Sequence, residues 1–251
     1  MTPPPSPHAI SPRADEGPEA AGAAVVIGPG GIGSAVAHEL QQQARHGPVW
    51  CLGRRTEPAL DYAREDSLAH SAAWVAQQCA HACVPLSLLV VATGYLHGPQ
   101  GQPERSWSHL QADQLAHSFL VNSIGPALIL KHFLPLLPRQ GPCAAVFLSA
   151  KVGSIADNQL GGWYAYRAAK AALNQLVKTA SIEQARRNRQ SVVVALHPGT
   201  VDTALSAPFS KQGLNVRSSQ EAARQIVQVI STLDASHNGS FIDPQGQLLP
   251  W

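Results

Sequence analysis

The sequence predicts one α/β domain, doubly wound, with a mainly parallel sheet of about seven strands. Two observations carry this prediction: short apolar runs alternate with longer segments of helical periodicity, and a glycine-rich turn follows the first apolar run. Strands that alternate with helices are joined by right-handed crossovers, which cover both faces of a parallel sheet. The 251 residues are enough for one large domain or two small ones.

Each predicted strand is a short apolar run closed by a turn residue, as in strands buried on both faces. Among the helices, one opens on Asp66-Ser67, which are good N-cap residues, and Pro126 predicts a kink in another. The link over 53–59 is too short for a helical crossover, so we expect a helix to be missing there. The predicted strands cover 23–27, 49–53, 60–63 (weak), 86–94, 143–150, 191–199 and 239–243, and the predicted helices cover 31–44, 66 onward, 110–137, 163–187 and 219–233.

Residues 1–22 carry six of the twenty prolines and almost no apolar periodicity. Such a composition cannot bury enough apolar surface to fold, so we expect a disordered tail before a domain over 23–251. The tail has no apolar region of the kind that a secretory signal needs. No window of the chain contains the roughly 18 uncharged apolar residues typical of a spanning helix.

Composition excludes several classes of function. Eighteen basic against sixteen acidic residues give a net charge of +2, which does not favour binding to nucleic acid or to an anionic membrane. Four cysteines do not make a disulfide framework, and Cys79-Ala-His-Ala-Cys83 has no accompanying ligand motif, so we expect no metal site. These observations favour a soluble cytoplasmic protein that acts on a small molecule.

A glycine-rich motif follows the first predicted strand and opens the first predicted helix. Glycines permit a tight turn and let the backbone approach a pyrophosphate, which then lies at the positive end of the helix. The motif alone is a weak signal, and its other interpretation is a structural turn, but its place between strand and helix favours a dinucleotide site. The predicted binding residues are Gly28, Gly30, Gly31, Ile32 and Gly33.

A second motif is Tyr166-Arg-Ala-Ala-Lys170 in the predicted helix over 163–187. Residues four apart share a helix face, so the ammonium is expected near the phenol and would lower its pKa from about 10. Such a phenol suits proton transfer to a carbonyl as hydride arrives. The same spacing is common on solvated helices. Tyr164 has Ala168 at the corresponding position, so the spacing selects Tyr166.

With these two motifs, the chain from about Ala23 to Trp251 resembles the short-chain dehydrogenase/reductase family. The segments 152–174 and 241–251 resemble its C-factor-like and sniffer-like branch of carbonyl reductases. The resemblance implies a Rossmann domain, a nicotinamide cofactor and a carbonyl or alcohol substrate. Relatives often dimerise through the two long central helices, here about 110–137 and 163–187, so a homodimer is one assembly to expect.

The resemblance also implies roles for individual residues. Asn122 matches the catalytic asparagine, and Tyr166 and Lys170 match the catalytic tyrosine and lysine, all three of which also meet the cofactor. Asp66 and Ser67 would serve the adenine. Further cofactor contacts implied by matching segments are Ala92, Thr93 and Gly94 beside the adenosine, and Pro198, Gly199, Val201 and Thr203 beside the nicotinamide.

The catalytic serine is the main departure from the family pattern. That pattern places the serine at Ala150, in the local sequence Ser149-Ala150-Lys151-Val152-Gly153. Ser149 could replace it if the strand end slips by one residue, because such a slip moves the side chain to the other face. Ser154 is the alternative donor. Ser149 is the first candidate, and its other interpretation is a cap on the strand end.

The end of the second predicted strand bears on the choice of cofactor. Folds that prefer NAD usually place a carboxylate there, whereas this chain has Arg54 and Arg55. A guanidinium can bind a 2′-phosphate with two charged hydrogen bonds, so we expect NADP(H) to be preferred and NAD(H) to remain usable. A solvated turn is the other interpretation of the two arginines.

Three hypotheses of function follow. The first is an NADPH-dependent oxidoreductase in which Tyr166 is the proton donor or acceptor. The second is a nucleotide-binding signalling or regulatory protein with little catalysis, suggested by Ala150 at the serine position and by the resemblance to the C-factor type. The third, which we consider weakest, is a structural protein on a Rossmann scaffold.

Overall fold

The computed structural model describes residues 22–43, 47–203 and 216–251. Within these ranges six strands form one parallel sheet of apolar runs, most of them buried and the second half-buried. The strands are β1 (Ala23–Ile27), β2 (Val49–Leu52), β3 (Leu86–Val91), β4 (Cys143–Leu148), β5 (Ser191–Leu196) and β6 (Phe241–Ile242). Their spatial order is β2-β1-β3-β4-β5-β6, so the strand order reverses between β1 and β3.

Helices cover both faces of this sheet. They are α1 (Gly31–Gln42), α2 (Glu65–Ala82), α3 (Ala112–Phe119), α4 (Gly125–Phe133), α5 (Tyr164–Arg187) and α6 (Ser219–Thr232). Because side chains alternate along a strand, Val25 and Ile27 of β1 pack with α2, α4 and α5, whereas Ala24 and Val26 pack with α1 and α6. The predicted doubly wound Rossmann fold is therefore confirmed.

The sheet has six strands rather than about seven, because the predicted weak strand over 60–63 is an irregular loop. Pro58 has no N–H to offer a neighbouring strand, and the Leu60 N–H turns back to the Gly53 carbonyl at 2.9 Å. The stretch 53–64, which is described in full, contains no helix, as the short link predicted.

The helix predicted over 110–137 runs without a break over Ala112–Leu136, and a π turn over Leu120–Ile124 lies between its α-helical parts α3 and α4. Pro126 follows this turn and has no N–H, so the Asn122 carbonyl lacks its usual helical donor four residues on. The stretch Ala112–Leu136 is long and apolar enough, by composition, to cross a membrane. Within this stretch, Ile129 and Phe133 are buried among residues of α2 and α5.

The predicted tail over 1–22 lies outside the described residues apart from Gly22, whose carbonyl accepts a hydrogen bond from the Gly47 N–H at 3.1 Å.

Gly33 in the first turn of α1 lies directly against the backbone at the end of β1. A β-carbon at Gly33 would collide with the Gly28 carbonyl oxygen and lie 3.2 Å from the Ala92 β-carbon. A β-carbon at Gly30, by contrast, would meet no atom within 4 Å. Gly33 is thus required by packing, whereas Gly30 is not.

We expect Gly33→Ala to lower the free energy of unfolding by about 1–3 kcal/mol, because backbone rather than a flexible side chain opposes the added methyl group. Gly30→Ala is the matched control, and its φ of −84° suits alanine. Its stability should stay within about 0.5 kcal/mol of the native protein. Urea unfolding of the native protein and of the two variants measures these free energies. Equal stabilities of Gly33→Ala and Gly30→Ala would contradict the packing argument.

Candidate active site

The glycine loop at the carboxyl end of β1 leaves the N-terminus of α1 open. Gly28 adopts a φ of +101°, which favours glycine, and its N–H donates to the Leu52 carbonyl at 2.8 Å. Gly30 is the N-cap of α1, and no side chain caps the helix. The first N–H groups of a helix carry partial positive charge, so this end can receive an anion.

Two further loops meet the glycine loop, as the sequence predicted. The segment 92–94 continues β3, and the Ala92 N–H donates to the Ile27 carbonyl at 2.8 Å. The Thr93 methyl group would lie 2.8 Å from a β-carbon at Gly28, and Thr203 and Ser219 would lie 3.1 and 3.2 Å from one at Gly31. Ser219 was not predicted to lie at the site. Its only distinguishing feature in the sequence is its position directly after Ser218, the N-cap of α6.

The segment over 198–203 is fixed by a partner that the sequence did not indicate. The Arg217 N–H donates to the Thr200 carbonyl at 3.0 Å, and the Asp202 N–H donates to the Arg217 carbonyl at 2.7 Å. Val201, between them, is buried. Gly199 follows Pro198 with a φ of +81°, and a β-carbon there would lie 2.7 Å from the Arg217 guanidinium. These contacts hold the segment against Arg217, just before α6.

Arg54 and Arg55 lie in an exposed turn directly after β2. Thr56 closes the turn, because its hydroxyl accepts from the Gly53 N–H at 2.9 Å. Gly53 in turn lies against the Pro29 ring of the glycine loop. Neither arginine forms an ion pair or side-chain hydrogen bond with any residue that the structure describes, so both guanidinium groups are available beside the loop.

Asp66 and Ser67 are not brought to the predicted adenine side. The Asp66 carboxylate forms an exposed ion pair with Arg64 at 3.2 Å. The Ser67 hydroxyl turns inward and donates to the Arg64 carbonyl at 2.7 Å. Tyr62 approaches the site instead, since its hydroxyl lies 2.9 Å from the Thr93 hydroxyl. The expectation for Asp66 and Ser67 therefore needs correction, because helix α2 begins at Glu65 and carries Asp66 to its surface.

Tyr166 and Lys170 are buried together on α5, as the spacing predicted. Lys170 is 2% exposed, its ammonium lies 5.9 Å from the centre of the Tyr166 ring, and it donates to the Leu148 carbonyl at 2.8 Å. Burial lowers the pKa of Lys170 to about 7 and raises the pKa of Tyr166. The pKa of Tyr166 therefore moves opposite to the expected direction, because burial removes the phenol from water.

Tyr164 belongs to a different space. It lines a cavity of about 370 Å³ together with Ser154 and Arg167, among others. The structure therefore agrees with the choice of Tyr166 as the tyrosine paired with Lys170.

Asn122 lies in the π turn and is fully buried. Its side-chain oxygen accepts from the Tyr95 N–H at 3.0 Å, and its amide donates to the Tyr95 carbonyl at 2.8 Å and to the Ser118 hydroxyl at 3.2 Å. The side chain is thus committed to the segment after β3. Because Pro126 has no N–H, the Asn122 backbone carbonyl has no donor at the fourth residue after it.

Neither candidate serine offers its hydroxyl to Tyr166. The Ser149 hydroxyl is buried and donates to the Asn174 side chain at 2.6 Å, and Asn174 lies roughly 12 Å further along α5 than Tyr166. The Ser154 hydroxyl donates to the Trp251 carbonyl at 3.1 Å.

The strand slip that Ser149 would need does not occur. The Ser149 N–H still pairs with the Leu196 carbonyl at 2.8 Å, and β4 keeps its register with β5 up to Leu148. The expectation for Ser149 is therefore corrected on geometric grounds. No group of three or more His, Cys, Asp or Glu side chains in the described residues could hold a metal ion.

Comparison with known proteins places this architecture in a family. A stretch of 138 residues is 37% identical to C-signal of Myxococcus xanthus, covering 55% of this chain and 78% of that protein. The fold is similar to that of an NADPH-bound carbonyl reductase from chicken fatty liver, with a TM-score of 0.79, 22% identity and coverage of 92% of this chain and 94% of that one.

Carbonyl reductase Sniffer of D. melanogaster has a TM-score of 0.78 at 23% identity, with coverage of 92% of this chain and 100% of that one. At these identities the two structures show the shared fold alone. The family model of short chain dehydrogenases matches residues 22–214. The chain therefore belongs to the short chain dehydrogenase family, whose members are oxidoreductases that use NAD(H) or NADP(H).

Proposed function

We propose that the protein is an NADPH-dependent carbonyl reductase in which Tyr166 supplies the proton. The observation that carries this proposal is the buried Tyr166–Lys170 pair on α5, at the carboxyl edge of the sheet where the glycine loop also lies. In an open parallel sheet, ligands bind at this edge, next to the point where the strand order reverses.

The residues at this edge fit a dinucleotide. The uncapped N-terminus of α1 suits a pyrophosphate, and the absence of side chains at Gly30 and Gly31 lets the phosphate approach the backbone. The adenosine would lie beside Tyr62 and the segment 92–94, and the nicotinamide beside the segment 198–203. The proposed binding residues are Gly28, Gly30, Gly31, Ile32, Gly33, Ala92, Thr93, Gly94, Pro198, Gly199, Val201 and Thr203.

The two unpaired arginines after β2 support a preference for NADPH. A 2′-phosphate at the adenosine end would meet the guanidinium groups of Arg54 and Arg55. The first carboxylate in the sequence after β2 is that of Glu57. Arg54 is the first candidate for the contact because it directly follows Gly53, which touches the glycine loop.

Replacing Arg54 should reduce the preference for NADPH. A charged hydrogen bond of roughly 1.5–3 kcal/mol corresponds to a tenfold to hundredfold preference, which Arg54→Asp should abolish. Arg189→Asp makes the same charge change in an exposed residue just before β5, at the opposite edge of the sheet, and serves as the control. The measurement is kcat/KM with NADPH and with NADH. A native enzyme that uses both equally would contradict this assignment.

The bound nicotinamide supplies the hydride, and the protein manages the proton. Burial keeps the Tyr166 phenol protonated, which is the state that a donor to the developing alkoxide needs. The Lys170 ammonium, held by the Leu148 carbonyl, keeps further N–H groups for the ribose hydroxyls and for a water. The Asn122 carbonyl is positioned by the π turn to accept from such a water. Since the phenol is the populated form near neutral pH, Tyr166 can donate its proton in the reductive direction.

Tyr166→Phe should abolish carbonyl reduction and leave cofactor binding intact. Loss of a general acid costs about 10²–10⁴-fold in rate, whereas the phenyl ring preserves the packing. NADPH oxidation with an aldehyde, ketone and quinone panel gives the rate, and fluorescence titration gives the Kd for NADPH. Tyr164→Phe is the control and should retain turnover. Retained turnover in Tyr166→Phe would remove Tyr166 from the mechanism.

The position that the family pattern gives to a serine is Ala150, and both nearby serines are engaged elsewhere. The substrate oxygen would then receive one hydroxyl hydrogen bond, from Tyr166, rather than two. Ala150 is half-buried at the end of β4, so a hydroxyl added there would lie at the carboxyl edge of the sheet.

We expect Ala150→Ser to raise kcat/KM for an unactivated ketone by about tenfold, because a second donor stabilises the developing negative charge. Ser149→Ala is the comparison. It removes the hydrogen-bond partner of Asn174, so it should lower Tm and leave kcat largely unchanged. A large loss of kcat in Ser149→Ala, with no gain in Ala150→Ser, would return the donor role to Ser149.

The signalling or regulatory alternative is less well supported. A protein that only binds nucleotide needs the glycine loop but has no need to bury a lysine beside a tyrosine, which costs desolvation energy. Absence of NADPH oxidation across the whole substrate panel, with NADPH still bound, would favour that alternative.

A further inference from the structure

Glu104 is a buried carboxylate that the proposed chemistry does not use. It lies in the loop between β3 and α3 and is 2% exposed. Its backbone carbonyl accepts from the Trp163 N–H at 2.6 Å, and its side-chain Oε2 accepts from the Ala165 N–H at 3.2 Å. The other carboxylate oxygen, Oε1, has no partner among the described residues. Both contacts are made to the first turn of α5.

The start of α5 needs such a partner. Gly161, Gly162 and Trp163 all have left-handed backbone conformations, with φ values of +63°, +66° and +52°. Trp163 is the N-cap of α5 and provides no side-chain cap, so the first N–H groups of the helix depend on other residues. Glu104 supplies two acceptors at this end of the helix, its backbone carbonyl and its side-chain Oε2.

A second side chain holds the same turn from the other side. Arg167 donates from Nε to the Gly162 carbonyl at 3.0 Å and from Nη1 to the Val152 carbonyl at 3.3 Å. The turn before α5 is therefore fixed between the β3–α3 loop and the segment after β4.

This turn determines where Tyr166 lies. Ala165, which Glu104 binds, directly precedes Tyr166. The Trp163 ring packs edge-to-face against the Tyr166 ring with centroids 6.4 Å apart, and the Lys170 ammonium lies 5.9 Å from that ring. A shift in the first turn of α5 would thus move the phenol relative to Lys170 and to the substrate.

We propose that Glu104 is a positioning residue for the reaction: it fixes the first turn of α5 and thereby the Tyr166 hydroxyl. The proposal rests on the proposed role of Tyr166 as proton donor. It explains why a carboxylate is kept in a buried place where an apolar side chain would avoid the desolvation cost.

Three variants test the proposal. Glu104→Ala removes the side-chain acceptor, and Glu104→Asp withdraws it by one methylene group. Both should lower kcat for carbonyl reduction about tenfold to a hundredfold, since small misplacements of reacting groups cost that much, with an unchanged Kd for NADPH. Glu104→Gln keeps an oxygen that can accept from the Ala165 N–H, so its kcat should stay within about threefold of the native value.

The matched control is Asn188→Ala at the opposite end of the same helix. Asn188 is buried and donates to the carbonyls of Pro138 and Gly141 at 3.1 and 2.8 Å. Its loss should lower Tm but leave kcat within about twofold, because that end of α5 is remote from Tyr166.

The proposal fails if Glu104→Ala and Glu104→Asp lose no more kcat than Asn188→Ala, or if Glu104→Gln loses as much as Glu104→Ala. Should Glu104→Ala not fold, the Asp and Gln variants decide between these results. Tyr166→Phe is assayed alongside, since its retained turnover overturns the proposed function, whatever the Glu104 variants show.

Discussion

The hydrogen bond from the buried Lys170 ammonium to the Leu148 carbonyl is the contact on which the site depends. It joins α5 to the carboxyl end of β4 and places a cation where desolvation lowers its pKa to about 7. Tyr166, one turn earlier, is buried beside it and kept protonated. In the proposed mechanism the phenol and the Lys170 amino group are thus positioned together before any substrate binds, which would lower the reorganisation needed in the reaction.

The other half of the site depends on close backbone approach. Gly33 lets α1 begin directly against the end of β1, and the loops after β3 and β5 pack onto this turn. The open helix end and the Tyr166–Lys170 pair consequently lie along one edge of the sheet.

The fold and the centre of the site could be predicted because they follow from local patterns. Apolar runs located the strands to within a few residues, and i, i+4 spacing selected Tyr166 over Tyr164. Side chains whose orientation depends on distant partners could not be predicted. Ser149 is held by Asn174, and Glu104 meets Ala165, which is 61 residues away in sequence. The pKa of Tyr166 was misjudged because spacing reveals the neighbouring cation and not the depth of burial.

The most direct test of this account is a pH titration of Tyr166 by NMR of the protein labelled at the tyrosine ring carbon that bears the hydroxyl. The chain has four tyrosines, so the Tyr166→Phe spectrum assigns the resonance. We expect Tyr166 to stay protonated up to pH 10, because burial disfavours the phenolate. Ionisation of Tyr166 between pH 7 and 9 in the cofactor-free protein would contradict it.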